Sequence, residues 1–265
     1  MCIKIENVHT EEFDMRYFRF GNGEKTFVIL PGLSIQSVMN SAEAVKKEYA
    51  VFEEEFTTYV FDRRENLPEV YTVRDMARDT AVAMKELKLN GVYLFGASQG
   101  GMMSQVIAAE YPELVKKVVL GSTASHIDGK NAKSLGGWID LARAEDPVSL
   151  YLVFGESLYP KEVFEQYKEM LKTMGSTVSK EELQRFIILA SGIKDFDVRD
   201  ELKNIQCPVL VIGDETDKVV GADTSVEIAK ILGENAELYM YDGYGHAAYD
   251  MAPDYQKRIY EFFIK

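Results

Sequence analysis

The stretch Val92-Tyr-Leu-Phe-Gly-Ala-Ser-Gln-Gly-Gly101 decides the fold. Four apolar or aromatic residues run straight into a glycine-flanked serine, and MMSQVIAAEY follows, stopped by Pro112. That order predicts a buried strand, a sharp turn and a helix, the setting in which Gly-x-Ser-x-Gly presents a nucleophile. A serine at such a turn is held at positive φ, which is strained for any residue with a Cβ. Gly96 and Gly100 leave room for the turn, and Gly101 lets the following helix pack close to a neighbouring strand.

Outward from this elbow, short β-rich runs alternate with helical stretches. Thr26 to Leu30, Thr57 to Phe61, Gly91 to Phe95, Lys117 to Leu120 and Pro208 to Ile212 are near-continuous apolar runs, as buried parallel strands require. Between the second and third, Thr72 starts a helix, with Asp75 three residues later and Asn90-Gly91 as its stop. Val73, Met76, Ala77, Thr80, Met84 and Leu87 share one face of it. Ile3 to Val8 and Phe13 to Phe20 read as strands joined by a short turn, so the sheet is expected to open antiparallel. Glu237 to Tyr241 reads as the last strand, and Asp254 to Ile264 as a closing helix with Tyr255, Ile259 and Phe262 inward. The predicted fold class is α/β, with about eight mostly parallel strands flanked by helices.

One connection breaks the alternation. From His126 to Gln206 there is no convincing strand, whereas GGWIDLARAEDP, PKEVFEQYKEMLKTM and SKEELQRFIILASGI each have helical periodicity. Three or four helices are expected there. With no repeat, low-complexity tract or linker, 126–206 is expected to cap a core made of 1–125 and 207–265 within one structural unit.

A serine hydroxyl is a weak nucleophile until a base within hydrogen-bond reach takes its proton, and that base is oriented by an acid. His246 lies in Asp242-Gly-Tyr-Gly-His-Ala-Ala-Tyr, just after the last predicted strand, and is the favoured base. His9 precedes the core strands and is expected at the surface, while His126 is expected at the pocket mouth. The acid should follow Pro208 to Ile212, where Gly213-Asp-Glu-Thr-Asp offers three carboxylates. Asp217 is preferred because Val219-Val220 would tuck back beneath the sheet; Asp214 is second, placed with Glu215 at the tip of the turn.

A tetrahedral intermediate needs two convergent backbone N–H donors. Gln99 supplies one by following the nucleophile, and Leu33, in Leu30-Pro-Gly-Leu-Ser34, is placed to supply the other. Pro31 cannot donate, and Gly32 leaves space for substrate. Gly32, Ser34, His126 and Trp138 are the expected pocket residues. Of the aromatic side chains in the insertion, two or three are expected to face substrate and the rest to pack within it.

Composition narrows the alternatives. The chain has 265 residues, 46% of them hydrophobic and 28% charged, and no apolar run long enough to span a membrane. Its net charge of -13 repels phosphate backbones and anionic headgroups, so neither nucleic acid nor membrane is an expected partner. The amino terminus has no signal-peptide core, and a cytoplasmic location is the expectation. Cys2 and Cys207 are expected to be reduced thiols, and no residue spacing suggests a metal site. Gly21-Asn-Gly-Glu-Lys-Thr26 lacks the adjacency a phosphate loop needs, and no cofactor is expected.

With the chain order Ser98, Asp217, His246, these residues resemble the α/β-hydrolase fold superfamily over nearly the whole chain. LPGL resembles its oxyanion loop, VYLFGASQGG its nucleophile elbow, CPVLVIGDETDKVV its acid loop and DGYGHAAYDMAPDY its histidine loop. By that similarity the insertion corresponds to the helical cap between strands 6 and 7. The chain departs from the common pattern at Pro31, where many members have His, and at Asp62-Arg63-Arg64-Glu65-Asn66, where many have D-x-R-G-x-G-S. The resemblance implies a serine hydrolase acting on a small-to-medium acyl substrate such as a carboxylic ester. The same triad serves C–C hydrolysis, lyase and cofactor-free peroxidase chemistry on this fold, and a ligand-binding protein with a vestigial site is a third reading.

Overall fold

The computed structural model describes residues 3–265, apart from the side chains of residues 130 and 131. Cys2 lies outside the described residues. Eight strands form one sheet: β1 (Ile5–His9), β2 (Asp14–Phe20), β3 (Lys25–Leu30), β4 (Phe56–Arg64), β5 (Val92–Ala97), β6 (Val115–Gly121), β7 (Val209–Asp214) and β8 (Ala236–Tyr241). Their spatial order is β1-β2-β4-β3-β5-β6-β7-β8. Strand β2 runs antiparallel to both its neighbours, and every other pairing beyond it is parallel.

The helices are α1 (Ala42–Glu48), α2 (Val73–Glu86), α3 (Gln99–Glu110), α4 (Gly129–Arg143), α5 (Pro147–Leu158), α6 (Lys161–Gly175), α7 (Lys180–Ser191), α8 (Ala222–Leu232), α9 (Ala248–Met251) and α10 (Tyr255–Ile264). Thr72 caps α2 with the reciprocal bonds expected of a capping box: its side chain accepts from Asp75 N–H while the Asp75 carboxylate accepts from Thr72 N–H. Helices α4 to α7 all lie between β6 and β7. The member without an amphipathic signature is α5, PVSLYLVFGESL, whose apolar residues are spread around the helix. None of the described helices is long and apolar enough to cross a membrane.

The apolar strands are buried on both faces, and their period of two sorts the side chains into two cores. Val28, Leu30, Leu94, Val118, Leu120, Val209 and Val211 face α2, α3, α8 and the inserted helices. Phe27, Ile29, Tyr93, Phe95, Val119, Leu210 and Ile212 face the other way, onto Tyr49, Phe52 and α10. There Phe27 packs against Phe52 at 4.6 Å and Phe263 at 5.2 Å between ring centroids. Each such ring, fully buried, contributes roughly 1.5–3 kcal/mol relative to exposure.

The chain passes from β3 outward to β4, then returns to the far side of β3 as β5. In an open α/β sheet, ligands bind at such a switch point, in the crevice beyond the strands' carboxyl ends. Leu30 of β3 pairs with Gly96 of β5, so Pro31-Gly32-Leu33 and Ala97-Ser98 emerge side by side. The crowding there depends on glycine. A Cβ on Gly100 would lie 1.9 Å from Leu30 O, and one on Gly96 would lie 2.2 Å from Gly100 O, both backbone atoms. A Cβ on Gly101 would meet the Thr123 side chain at 2.6 Å, which identifies the segment just past β6 as the neighbour that glycine admits.

These contacts predict opposite outcomes for one substitution at two glycines. Gly100→Ala must displace backbone and should lower the unfolding free energy by about 3 kcal/mol, the upper end of the usual overpacking range. Gly137→Ala in α4, where a Cβ meets nothing within 4 Å, should raise it by about 0.5–1 kcal/mol through helix propensity. Urea unfolding of the two variants checks both signs.

Candidate active site

Ser98 sits between β5 and α3 with φ 52 and ψ -119. The turn is pinned on both sides: Ser98 N–H donates to Gly121 O at 2.9 Å, and Ser98 O accepts from Met102 N–H at 3.0 Å and from the Thr123 hydroxyl at 2.7 Å. Only a turn this sharp lifts the side chain clear of both strand and helix. Ser98 Oγ then lies 3.0 Å from His246 Nε2.

His246 belongs to a short helical turn following β8, and its Nδ1 lies 2.8 Å from Asp217 Oδ2. A carboxylate at Nδ1 keeps the proton on that nitrogen and leaves Nε2 free to accept the serine proton. Both side chains are 2% exposed, so water does not compete for the pair. Burial pulls the Asp217 carboxyl upward, but His246 and the N–H groups of Val219 and Val220 outweigh it and hold the group below its ordinary range. The Val219-Val220 segment thus fixes the acid through its backbone N–H groups, while its side chains line the cavity rather than tuck beneath the sheet as expected.

Asp214 has a different place from the one expected. It is the last residue of β7 and fully buried, not at the tip of a turn. One carboxylate oxygen accepts from Thr216 N–H and its hydroxyl, and the other from Tyr244 N–H at 2.9 Å. Gly245 N–H in turn donates to the Thr216 hydroxyl. Asp214 therefore ties the acid loop to the histidine loop, and Asp217 alone reaches the imidazole.

The loop after β3 lies directly on the serine: a Cβ on Gly32 would be 3.2 Å from Ser98 Cβ and 3.9 Å from its Oγ. Gln99 opens α3, so its N–H is one of the first-turn donors that no intrahelical carbonyl can satisfy. Leu33 lines the same cavity as Ser98. That cavity, with its opening to solvent, encloses about 540 Å³. Leu135 and Trp138 of α4 and Phe154 and Leu158 of α5 form its roof, and Met102, Ile193 and Val220 are among its other walls. Its polar lining among the described residues is Ser98, His246 and Tyr249, whose ring meets the imidazole edge-on at 6.3 Å.

Three of the expected pocket residues, Gly32, Ser34 and His126, are not among the cavity's lining residues. His126 pairs with Asp197 in an isolated antiparallel bridge, so alternation turns Ile127 inward and His126 outward to Glu227, 3.3 Å away. The Ser34 hydroxyl donates to Gln36 O within its own turn. His9 is at the surface, paired with Asp14. Of the aromatic residues in the insertion, Trp138 and Phe154 face the cavity, stacked edge-to-face at 4.7 Å. Cys207 is free, and burial pushes its thiol up to about 11, an unreactive state. No cluster of His, Cys, Asp or Glu among the described residues could hold a metal ion.

Sequence reasoning treated Asp62 and Arg63 only as a variant loop bordering the pocket. Both are buried at the carboxyl end of β4, Arg63 against the Pro31 and Gln99 side of the elbow and Asp62 against Ser37 and Arg185. Their partners lie from 25 to 123 residues away in sequence, so no local pattern reveals them.

The chain is similar in sequence and in fold to known proteins. The serine hydrolase BPHL of Mus musculus is 24% identical over 227 residues, covering 82% of this chain and 70% of that protein. A putative carbamate hydrolase, RutD of Serratia proteamaculans, is 23% identical over 207 residues, covering 74% of this chain and 77% of that one. The crystal structure of MGS-M2, an alpha/beta hydrolase enzyme from a Medee basin deep-sea metagenome library, superposes with a TM-score of 0.88 at 22% identity, covering 98% of each chain. Residues 28–253 match the family described as alpha/beta hydrolase fold, a span that runs from β3 through the histidine loop, and the chain belongs to that family.

Proposed function

We propose that this protein is a serine hydrolase that cleaves small-to-medium, uncharged carboxylic esters or closely related acyl compounds through an acyl-enzyme. The observation that carries the proposal is the continuous hydrogen-bonded chain from Ser98 Oγ through His246 to Asp217, at 3.0 and 2.8 Å, opening into an apolar cavity. Relatives named as serine and carbamate hydrolases support acyl chemistry at such a site.

In this reading His246 Nε2 takes the Ser98 proton as Oγ attacks the carbonyl carbon. Negative charge moves to the carbonyl oxygen, where the N–H groups of Leu33 and Gln99 receive it. The imidazolium, steadied by Asp217, returns the proton to the departing alcohol, leaving an ester on Ser98. Water then attacks the acyl carbon while Nε2 takes its proton, the bond from Oγ to the acyl carbon breaks, and the imidazolium returns the proton to Oγ as the acid leaves. The cavity walls set the substrate class. With no cationic side chain among the described lining residues, a substrate carboxylate would be desolvated without compensation.

Ser98→Ala should abolish hydrolysis of p-nitrophenyl butyrate and labelling by a fluorophosphonate; undiminished turnover, or label found elsewhere in the chain, rejects the proposal. Asp217→Asn should lower kcat by about 10³–10⁴-fold while leaving the fold intact. Asp214→Asn should instead show mainly in thermal stability, because it weakens a structural bridge outside the proton path. Across a panel of esters, acetate and butyrate should exceed laurate, and a succinate half-ester should fall at least about a hundredfold below butyrate. Trp138→Ala should move the optimum toward longer acyl chains.

A further inference from the structure

Arg63 is 4% exposed, yet among the described residues it has no direct ion pair of its own. Its Nη2 donates to Pro31 O at 2.8 Å and to the Gln99 side-chain oxygen at 2.7 Å, with Gly32 O at 3.5 Å. Its Nε, also buried, has no hydrogen-bond partner. A buried cation with an orphaned donor is a poor choice for stability alone, because its desolvation is incompletely compensated. Burial pushes the guanidinium down to about 10, with Asp62 working in the opposite direction, so it remains charged at neutral pH.

The groups it holds are informative. Gly32 C=O and Leu33 N–H belong to one planar trans peptide and point in opposite directions. Arg63 Nη2, on the carbonyl side at 3.5 Å from Gly32 O, bears on the orientation of that peptide, which packs close to Ser98: a Cβ added at Gly32 would lie 3.2 Å from the serine Cβ. It also polarises that peptide in the sense that makes its N–H a stronger donor. The second donor residue is Gln99, whose side chain is clamped between Arg63 and Leu189 O of α7, the latter at 2.8 Å. Asp62, next in chain, bonds Arg185 of the same helix and the Ser37 hydroxyl. Gln36 adds a third tie, donating to Glu182 of α7 at 3.1 Å and accepting from the Tyr151 hydroxyl of α5 at 3.0 Å.

We propose that Arg63 is the positioning residue of the oxyanion hole, holding the Leu33 and Gln99 donor segments in register, with the inserted helix α7 as the anchor on the far side of Gln99. The inference rests on the Ser98 chemistry proposed above. It assigns to the β4 end and the inserted helices a role in the tetrahedral step, beyond walling the cavity.

The test uses the full chain with p-nitrophenyl butyrate and a fluorophosphonate, whose developing negative oxygen occupies the same hole. Arg63→Met keeps the length and removes every donor. It should lower kcat by about 10²–10³-fold, as loss of an oxyanion donor does, with KM changed less than about threefold. Fluorophosphonate labelling should slow by a comparable factor. Arg63→Lys, which restores charge and one donor, should recover at least about tenfold of that loss. Gln99→Met, which removes the side-chain clamp and keeps the backbone N–H, provides the same readout if Arg63→Met does not fold, with a drop of at least about tenfold in kcat. Folded variants whose kcat and labelling rate stay within threefold of wild type, or whose loss lies wholly in KM, overturn the assignment. Failure of the wild-type protein to label at Ser98 instead overturns the hydrolase reading beneath it.

Discussion

The backbone of Ser98, held at φ 52 and ψ -119, is the constraint on which the rest of the site depends. A residue with a Cβ in that region carries strain on the order of 1–3 kcal/mol, and persists there only when its surroundings over-determine it. Here they do. The flanking peptide groups are bonded to Gly121, Met102 and Thr123, and Gly96, Gly100 and Gly101 allow backbone and side chains to close in where a Cβ would intrude. The close approach that makes the turn possible also brings β3 against the start of α3. The loop after β3 and Ser98 are therefore adjacent for the same steric reason that Ser98 is strained.

The site separates charge from substrate. Asp217 and His246 are shielded, and the cavity beyond Ser98 is walled by aliphatic and aromatic side chains. In such surroundings a fixed dipole acts on developing charge with little screening, so a backbone N–H is a more effective donor there than in water. Apolar walls also keep the imidazole from competing partners. Among the described lining residues there is no cationic side chain to pair with a buried negative charge.

Much of this was legible in the sequence because the informative signals are local. Gly-Ala-Ser-Gln-Gly between an apolar run and a helix defines the elbow, and Asp217 and His246 follow the strands that carry them. Near-continuous apolar runs marked the parallel strands, and the short turn between Ile3 to Val8 and Phe13 to Phe20 marked the antiparallel opening of the sheet. What escaped depends on distance or direction. Asp214 stands three residues before Asp217, and the path of the backbone puts it at the end of β7, bonded to Tyr244 N–H, rather than at the tip of the turn. His126 and Ile127 are neighbours whose roles are set by a two-residue bridge to Asp197. Helix α5 lacks an amphipathic stripe because its faces meet α4, α6 and the cavity together.

Asp62, Arg63 and Arg185 show why a buried ionic cluster should be examined for function before it is credited to stability. Replacing such a cluster by well-packed apolar side chains is often neutral or stabilising, so persistence of the charges calls for another reason. In this fold the cluster occupies the seam where β4, the loop after β3, the start of α3 and α7 meet, and each bond crosses between two of those segments. Apolar packing would fill that seam without fixing a direction. Hydrogen bonds from a planar guanidinium fix both distance and direction, and the geometry of an oxyanion hole is tolerant of error in neither.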